Sequence, residues 1–135
     1  MITREQRYAA SAYTRVQAFG DATPDANARK QYKSMAQELP ILIRRAGLLQ
    51  ALAFIKRSSA EADRKLADDV AHTALGLTLA QLEDLSQQAQ LLQYMRLTEQ
   101  VMAALVWYKR AAQIVLSDEA LAQRTAAAPV TAEGA

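Results

Sequence analysis

The sequence predicts an all-α fold: a single compact bundle of about five to six helices, the last of them long and C-terminal. Ala and Leu dominate the 135 residues, apolar residues make up 51% and charged ones 22%, and 4 Gly and 3 Pro are the few breaks. Most of the chain is therefore strong helix former. Apolar residues also recur at i, i+3, i+4 and i+7 from the N-terminus to Val115, the spacing that gathers them on one helical face. The length suits one domain able to bury a core without disulfide or metal. That domain is expected over residues 1–116, with 117–135, rich in Ala, Thr and acids around Pro129, as a flexible C-terminal tail.

The elements follow in order. Thr3 with Gln6 makes a capping box, and Ala9, Ala12, Tyr13, Val16 and Phe19 mark the apolar face of a first helix that Gly20 is expected to end. Thr23 before Pro24 reads as an N-cap with proline at the first helical position. Ala28, Tyr32, Met35, Ala36 and Leu39 then form the face of a second helix. Pro40 disfavours helical geometry at Leu39 and removes a backbone donor, so a kink or short break is expected there, with helix again to Arg45. Gly47 is the hinge or C-cap. Leu48 to Arg57 is apolar almost all round, the pattern of a segment covered on several sides and expected at the centre of the core. Ser58 with Glu61 reads as a capping box for a helix with a sparse apolar face (Leu66, Val70, Thr73 or Ala74, Leu77), the weakest of the set. Gly76 stops it. Thr78 with Gln81 opens a short helix carrying Leu79, Leu82 and Leu85, and Gln87 to Gln93 contains no breaker. Two rows, Leu91, Met95, Thr98, Met102, Leu105 and Tyr94, Val101, Tyr108, Ala112, Val115, carry the last helix for about seven turns.

Charge is distributed unevenly. The formal net charge is +2, yet residues 29–65 hold nine Lys and Arg against Glu38, Glu61 and Asp63, a local balance of +6. Residues 66–93 hold Asp68, Asp69, Glu83 and Asp84 and no base. The cations come in pairs, among them Arg44 with Arg45, Lys56 with Arg57, and Lys109 with Arg110, each flanking an apolar stripe where a phosphate backbone could be gripped. Lys and Arg also snorkel over apolar surface in any helical protein, so charge alone leaves a plain interaction surface open.

Catalysis finds no support. There is no Cys, which removes thiolate chemistry and the common zinc sets, and fits a reducing, cytoplasmic setting. No leader-like or membrane-spanning apolar run is present. The single His72 lies three and four residues after Asp69 and Asp68, short of the three or four ligands a metal needs, and reads best as a half-exposed helix histidine. Gly-rich phosphate loops are missing. The acid pairs Glu83–Asp84 and Asp118–Glu119 diverge on a helix and read as solvated surface. No cofactor or metal is expected. Trp107 and Tyr108 could stack on bases, but both lie in the apolar period of the last helix.

Two blocks, LPILIRRAGLLQALAFIK (Leu39 to Lys56) and YMRLTEQVMAALVWYKRAAQIV (Tyr94 to Val115), resemble the signature segments of the small helical subunit of type III-B, Cmr-module CRISPR effector complexes, the fifth protein of that module. They cover about 40 of the 135 residues. The pattern fixes Leu39, Pro40, Ile43, Arg44, Gly47, Leu48, Gln50, Leu52, Ala53 and Phe54 in register, with Trp107, Lys109 and Arg110 in the second block. Ala46 departs from it, since a polar residue commonly precedes the glycine. The resemblance implies a non-catalytic, all-helical subunit whose copies self-associate as a stacked minor filament beside the repeated backbone subunit and the large subunit, and whose basic faces touch the sugar-phosphate of guide and target RNA. Carried onto this chain, it points to Arg44, Arg45, Lys56, Arg57, Lys109 and Arg110 as RNA-backbone contacts, with Arg15 and Arg96 next. The acidic stretch Asp68 to Asp84 becomes the expected subunit contact. The alternative is a helical protein–protein adaptor with a basic surface that does not bind RNA.

Overall fold

In a computed structural model, described for residues 1–117, the chain forms six helices: α1 (Arg4–Ala22), α2 (Ala26–Ala46), α3 (Leu48–Arg57), α4 (Glu61–Leu75), α5 (Leu79–Gln88) and α6 (Leu91–Val115). Helices α1, α2, α4 and α6 enclose the main core, while α3 and α5 pack on each other and on α4. The tail expected over 117–135 lies outside the described residues except for Ser117.

The local signals are read by the chain much as elementary chemistry dictates. Thr3 and Thr78 each accept from the backbone amide of a glutamine three residues on, and Gln6 and Gln81 return the bond, so α1 and α5 open with complete capping boxes. Gly76 ends α4 in the left-handed region at φ 68°. Gly47 joins α2 to α3 at φ 87°, serving as C-cap of one and N-cap of the other.

Several expectations are corrected. Helix α1 continues through Gly20 to Ala22. The N-cap of α2 is Asp25, whose carboxylate accepts from the Asn27 amide, and not Thr23. Pro40 does not break α2, which runs unbroken for 21 residues; its lost donor is one bond in a helix otherwise secured by Tyr32, Met35, Leu39 and Ile43 in the core. Ser58 does not cap α4: its hydroxyl donates to Asp63 and accepts from the Ala60 amide, which shifts the N-cap to Ala60. Between α5 and α6 the chain does break, at Ala89 and Gln90, both extended. Neither Gly nor Pro marks that break.

The largest correction exchanges the roles of α3 and α4. Helix α3 buries only Leu48, Ala51, Leu52 and Ile55, leaving Phe54 52% exposed and Leu49 at the surface. Helix α4 packs against α1, α2, α3, α5 and α6 and buries more than half of its length. Its small side chains are the reason. Ala62, Ala67, Ala71 and Ala74, with Leu66 and Val70, let neighbouring helices approach closely from several sides, where an apolar count alone reads them as a thin stripe. In α6 the row through Val101, Tyr108 and Ala112 is buried as expected, whereas Leu91 and Met95 of the other row are exposed.

Around α4 the core carries a set of paired polar groups. The Asp69 carboxylate, 0% exposed, accepts from the Tyr32 hydroxyl at 2.8 Å and meets Lys65 at 2.9 Å and Arg15 at 3.3 Å. The Asp69 backbone carbonyl accepts from the Tyr108 hydroxyl at 3.0 Å, and Tyr108 lies 2.7 Å from Thr73, itself 2.6 Å from Ser11. This network ties α1, α2, α4 and α6 together in one register, because a buried polar group left unpaired is costly.

Candidate nucleic-acid interface

The cations singled out in the sequence do not share one patch. Arg44 and Arg45 lie in the last turn of α2, and Lys56 and Arg57 in the last turn of α3. There they complement the partial negative charge of the helix C-termini, a local reason for basic residues at these positions. Neighbours in sequence point about 100° apart on a helix, and Arg44 and Arg45 are accordingly divided between two surfaces.

Arg44 falls on the row Gln37, Ile41, Arg44 of α2, which faces the row Met102, Val106, Lys109, Gln113 of α6. Together with Pro40, Leu105 and Arg110 they line a groove of about 470 Å³. Arg44, Lys109 and Arg110 are thus brought together although Arg44 and Lys109 stand 65 positions apart in the chain. Among the described residues none of the three is held by a carboxylate. Arg110 stacks over the Trp107 ring at 5.0 Å, a cation–π contact that presents its guanidinium at a fixed place beside the groove.

The other candidates stand elsewhere. Arg45 borders a hollow with Glu38, Ile41 and Phe54. Lys56 is drawn to Glu83 at 3.4 Å, with Arg57 beside it along the α3–α5 seam. Arg15 is turned onto Asp69. Arg96 is exposed on α6. Of the two aromatic candidates, Tyr108 is core and Trp107 is half buried beneath Arg110.

Sequence reasoning misses the groove's apolar members. Ile41 and Val106, both about half exposed, form its lips. The signal that could have found them is spacing: Gln37–Ile41–Arg44 and Met102–Val106–Lys109 keep the helical period of the neighbouring core rows, one row over.

The acids do not form the free surface expected of them. Asp68 accepts from the Leu79 amide at the start of α5 at 2.9 Å, Asp69 is core, and Glu83 is nearly buried beside Lys56. Only Asp84 of the four is exposed. His72 has its Nδ1 2.9 Å from the Asp68 carbonyl, while Asp69 turns inward. Among the described residues no three His, Cys, Asp or Glu side chains converge as a metal set.

A family model described as CRISPR-associated protein (Cas_Cmr5) matches residues 4–115, the whole six-helix unit. The chain belongs to the Cas_Cmr5 family. It is 40% identical over 118 residues to the CRISPR system Cmr subunit Cmr5 of Thermus thermophilus, a match that takes in 87% of this chain and 100% of that one. It is also similar to the crystal structure of a CRISPR-associated Cmr5 family protein from the same organism, with a TM-score of 0.75, 42% identity and coverage of 84% of this chain and 96% of the other. The resemblance read from the Leu39–Lys56 and Tyr94–Val115 blocks is therefore correct, and the family match extends it over the middle of the chain, where the two blocks are silent. Among the described residues no helix is long and apolar enough to cross a membrane.

Proposed function

We propose that this Cas_Cmr5-family chain is a non-catalytic small subunit of a cytoplasmic Cmr (type III-B) CRISPR effector ribonucleoprotein. In this role it meets the sugar-phosphate backbone of guide or target RNA through Arg44, Lys109 and Arg110. The observation that carries the reading is the α2–α6 groove, which gathers three cations, none held by a carboxylate among the described residues, out of the two blocks that carry the family likeness. Long cations on a shallow rim suit a contact that must accept any guide sequence, because phosphates are the same at every step. Arg45, Lys56, Arg57 and Arg96 supply further positive charge at a distance, and repeated copies in a filament would multiply weak contacts.

The adaptor reading keeps one specific support, the half-exposed Ile41, Val106 and Phe54 beside the cations, which suit a protein neighbour. Copurification separates the two. Affinity-tagged chain expressed with its own Cmr partners is expected to bring down those partners and RNA together, and Arg44→Glu with Lys109→Glu and Arg110→Glu is expected to lower the bound RNA while the partners remain. Partners recovered with RNA unchanged in that variant would favour the adaptor.

A further inference from the structure

Between the C-terminal half of α1 and the first half of α4, next to the α1–α2 turn, lies a cavity of about 550 Å³, within the range of small-molecule sites. It shares no residue with the α2–α6 groove. Its space comes from four alanines, Ala18 and Ala22 of α1, Ala28 of α2 and Ala62 of α4, at positions where larger side chains would close it. Phe19 gives it an aromatic wall. That ring is fixed from behind by Tyr32, with centroids 4.2 Å apart and planes at 22°.

The polar end is built on a wholly buried charge. Asp69 has one carboxylate oxygen on the Tyr32 hydroxyl, and the other draws in Lys65 and Arg15. One carboxylate thus faces two cations. Each cation spends a single N–H on it, which among the described residues leaves most of the guanidinium fork and two ammonium donors unused on side chains 35% and 47% exposed. Helix α4 begins beside this cavity; its N-cap Ala60 offers no side-chain oxygen to the first-turn amides, and the first-turn acids Glu61 and Asp63 offset the positive end of the helix. Among the described residues Glu61, exposed at the rim, is the other acid lining the cavity. Its charge brings the lining to two acids against two cations and disfavours a polyanion such as an RNA strand.

We propose that this cavity binds a small organic anion, a carboxylate or phosphate monoester carried on an apolar ring, with the anion on Arg15 and Lys65 and the ring against Phe19 among the alanines. The apolar body accounts for the alanine walls, and the anion for the unused donors. Neither half alone matches the site.

The test is a titration of the full ¹⁵N-labelled chain with phenyl phosphate and with phenylacetate, followed by amide shifts, with inorganic phosphate and benzyl alcohol as the half-ligand controls. Saturable shifts at Phe19, Ala28 and Ala62 are expected below about 10 mM, with each control at least about tenfold weaker. Arg15→Gln removes one anchor and is expected to weaken binding about tenfold while Lys65 and Tyr32 keep Asp69 satisfied. Ala22→Phe fills the cavity from an exposed position and is expected to abolish the shifts even if Arg15→Gln disturbs the fold. The proposal is overturned by an absence of saturation, by controls that bind equally well, by shifts centred on the α2–α6 groove, or by binding that survives Ala22→Phe.

Discussion

The phenol oxygen of Tyr94 stands 3.0 Å from the backbone nitrogen of Leu49 and accepts its hydrogen bond. Helix α3 is therefore capped by a side chain from the first turn of α6, because its own N-cap, Gly47, has none to offer. The same oxygen lies 3.2 Å from where a Cβ on Gly47 would be, and φ there is 87°, so the glycine is required twice. Tyr94→Phe is expected to cost about 1 kcal/mol by loss of the cap. Gly47→Ala is expected to cost more, about 1–3 kcal/mol from the backbone alone, because φ 87° with ψ 162° is an extended positive-φ conformation that is essentially glycine-only. Urea unfolding followed by circular dichroism measures both.

Asp69 and Tyr32 are the second tie. Removing the carboxylate by Asp69→Ala strands the buried Tyr32 hydroxyl and releases Arg15 and Lys65, for an expected loss of about 3–5 kcal/mol. Tyr32→Phe alone is expected to cost about 1–3 kcal/mol. A double-mutant cycle should find the Tyr32→Phe effect much reduced once Asp69 is gone, because the two side chains share one bond.

Stability should also fall in alkali, with a definite sign. Burial, with the Asp69 charge adding to it, holds the hydroxyls of Tyr32 and Tyr108 well above the ordinary tyrosine value of about 10. In the unfolded chain both ionise near pH 10, so above that pH the unfolded state binds fewer protons than the native state. The contribution is complete below about pH 10 and is lost as pH rises, by about 1.4 kcal/mol per unit for each tyrosine. Urea midpoints between about pH 9 and 11 should drop steeply in the parent chain, and less steeply in Tyr32→Phe or Tyr108→Phe.

The division of α3 into a buried and an open face makes a contrast between neighbours. Leu52→Ala, at a fully packed position, is expected to cost about 2–5 kcal/mol. Phe54→Ser, two residues on, is expected to change stability by no more than about 0.5 kcal/mol. Thermal unfolding of the two variants side by side checks it.

Much of this was legible in the sequence for a physical reason. Capping boxes, Gly47 and Gly76, and the rows through Tyr32 and Tyr108 are local signals, and local chemistry decides them. What could not be read was decided by neighbours. Phe54 looks like core until one knows that no helix covers it, and the alanines of α4 look neutral until five helices close on them. Asp69 looks like part of an acidic stretch open to a neighbouring subunit, although its contacts with Tyr32 on α2 and Arg15 on α1 show it to be interior. The cations divide in the same way. Arg44 and Lys109 meet because α2 and α6 pack side by side, while Arg15 is captured by a carboxylate whose burial the sequence does not announce.

The proposed function requires Arg44, Lys109 and Arg110 to act together on a ribose-phosphate strand. The direct measurement is the dependence of target-RNA affinity on salt in the assembled complex, with and without glutamates at these three positions. Counterion release gives the expected result: a slope of log K against log salt shallower by about two to three for each copy replaced, together with weaker binding that does not depend on target sequence. An unchanged slope and affinity in a complex that assembles normally would contradict it.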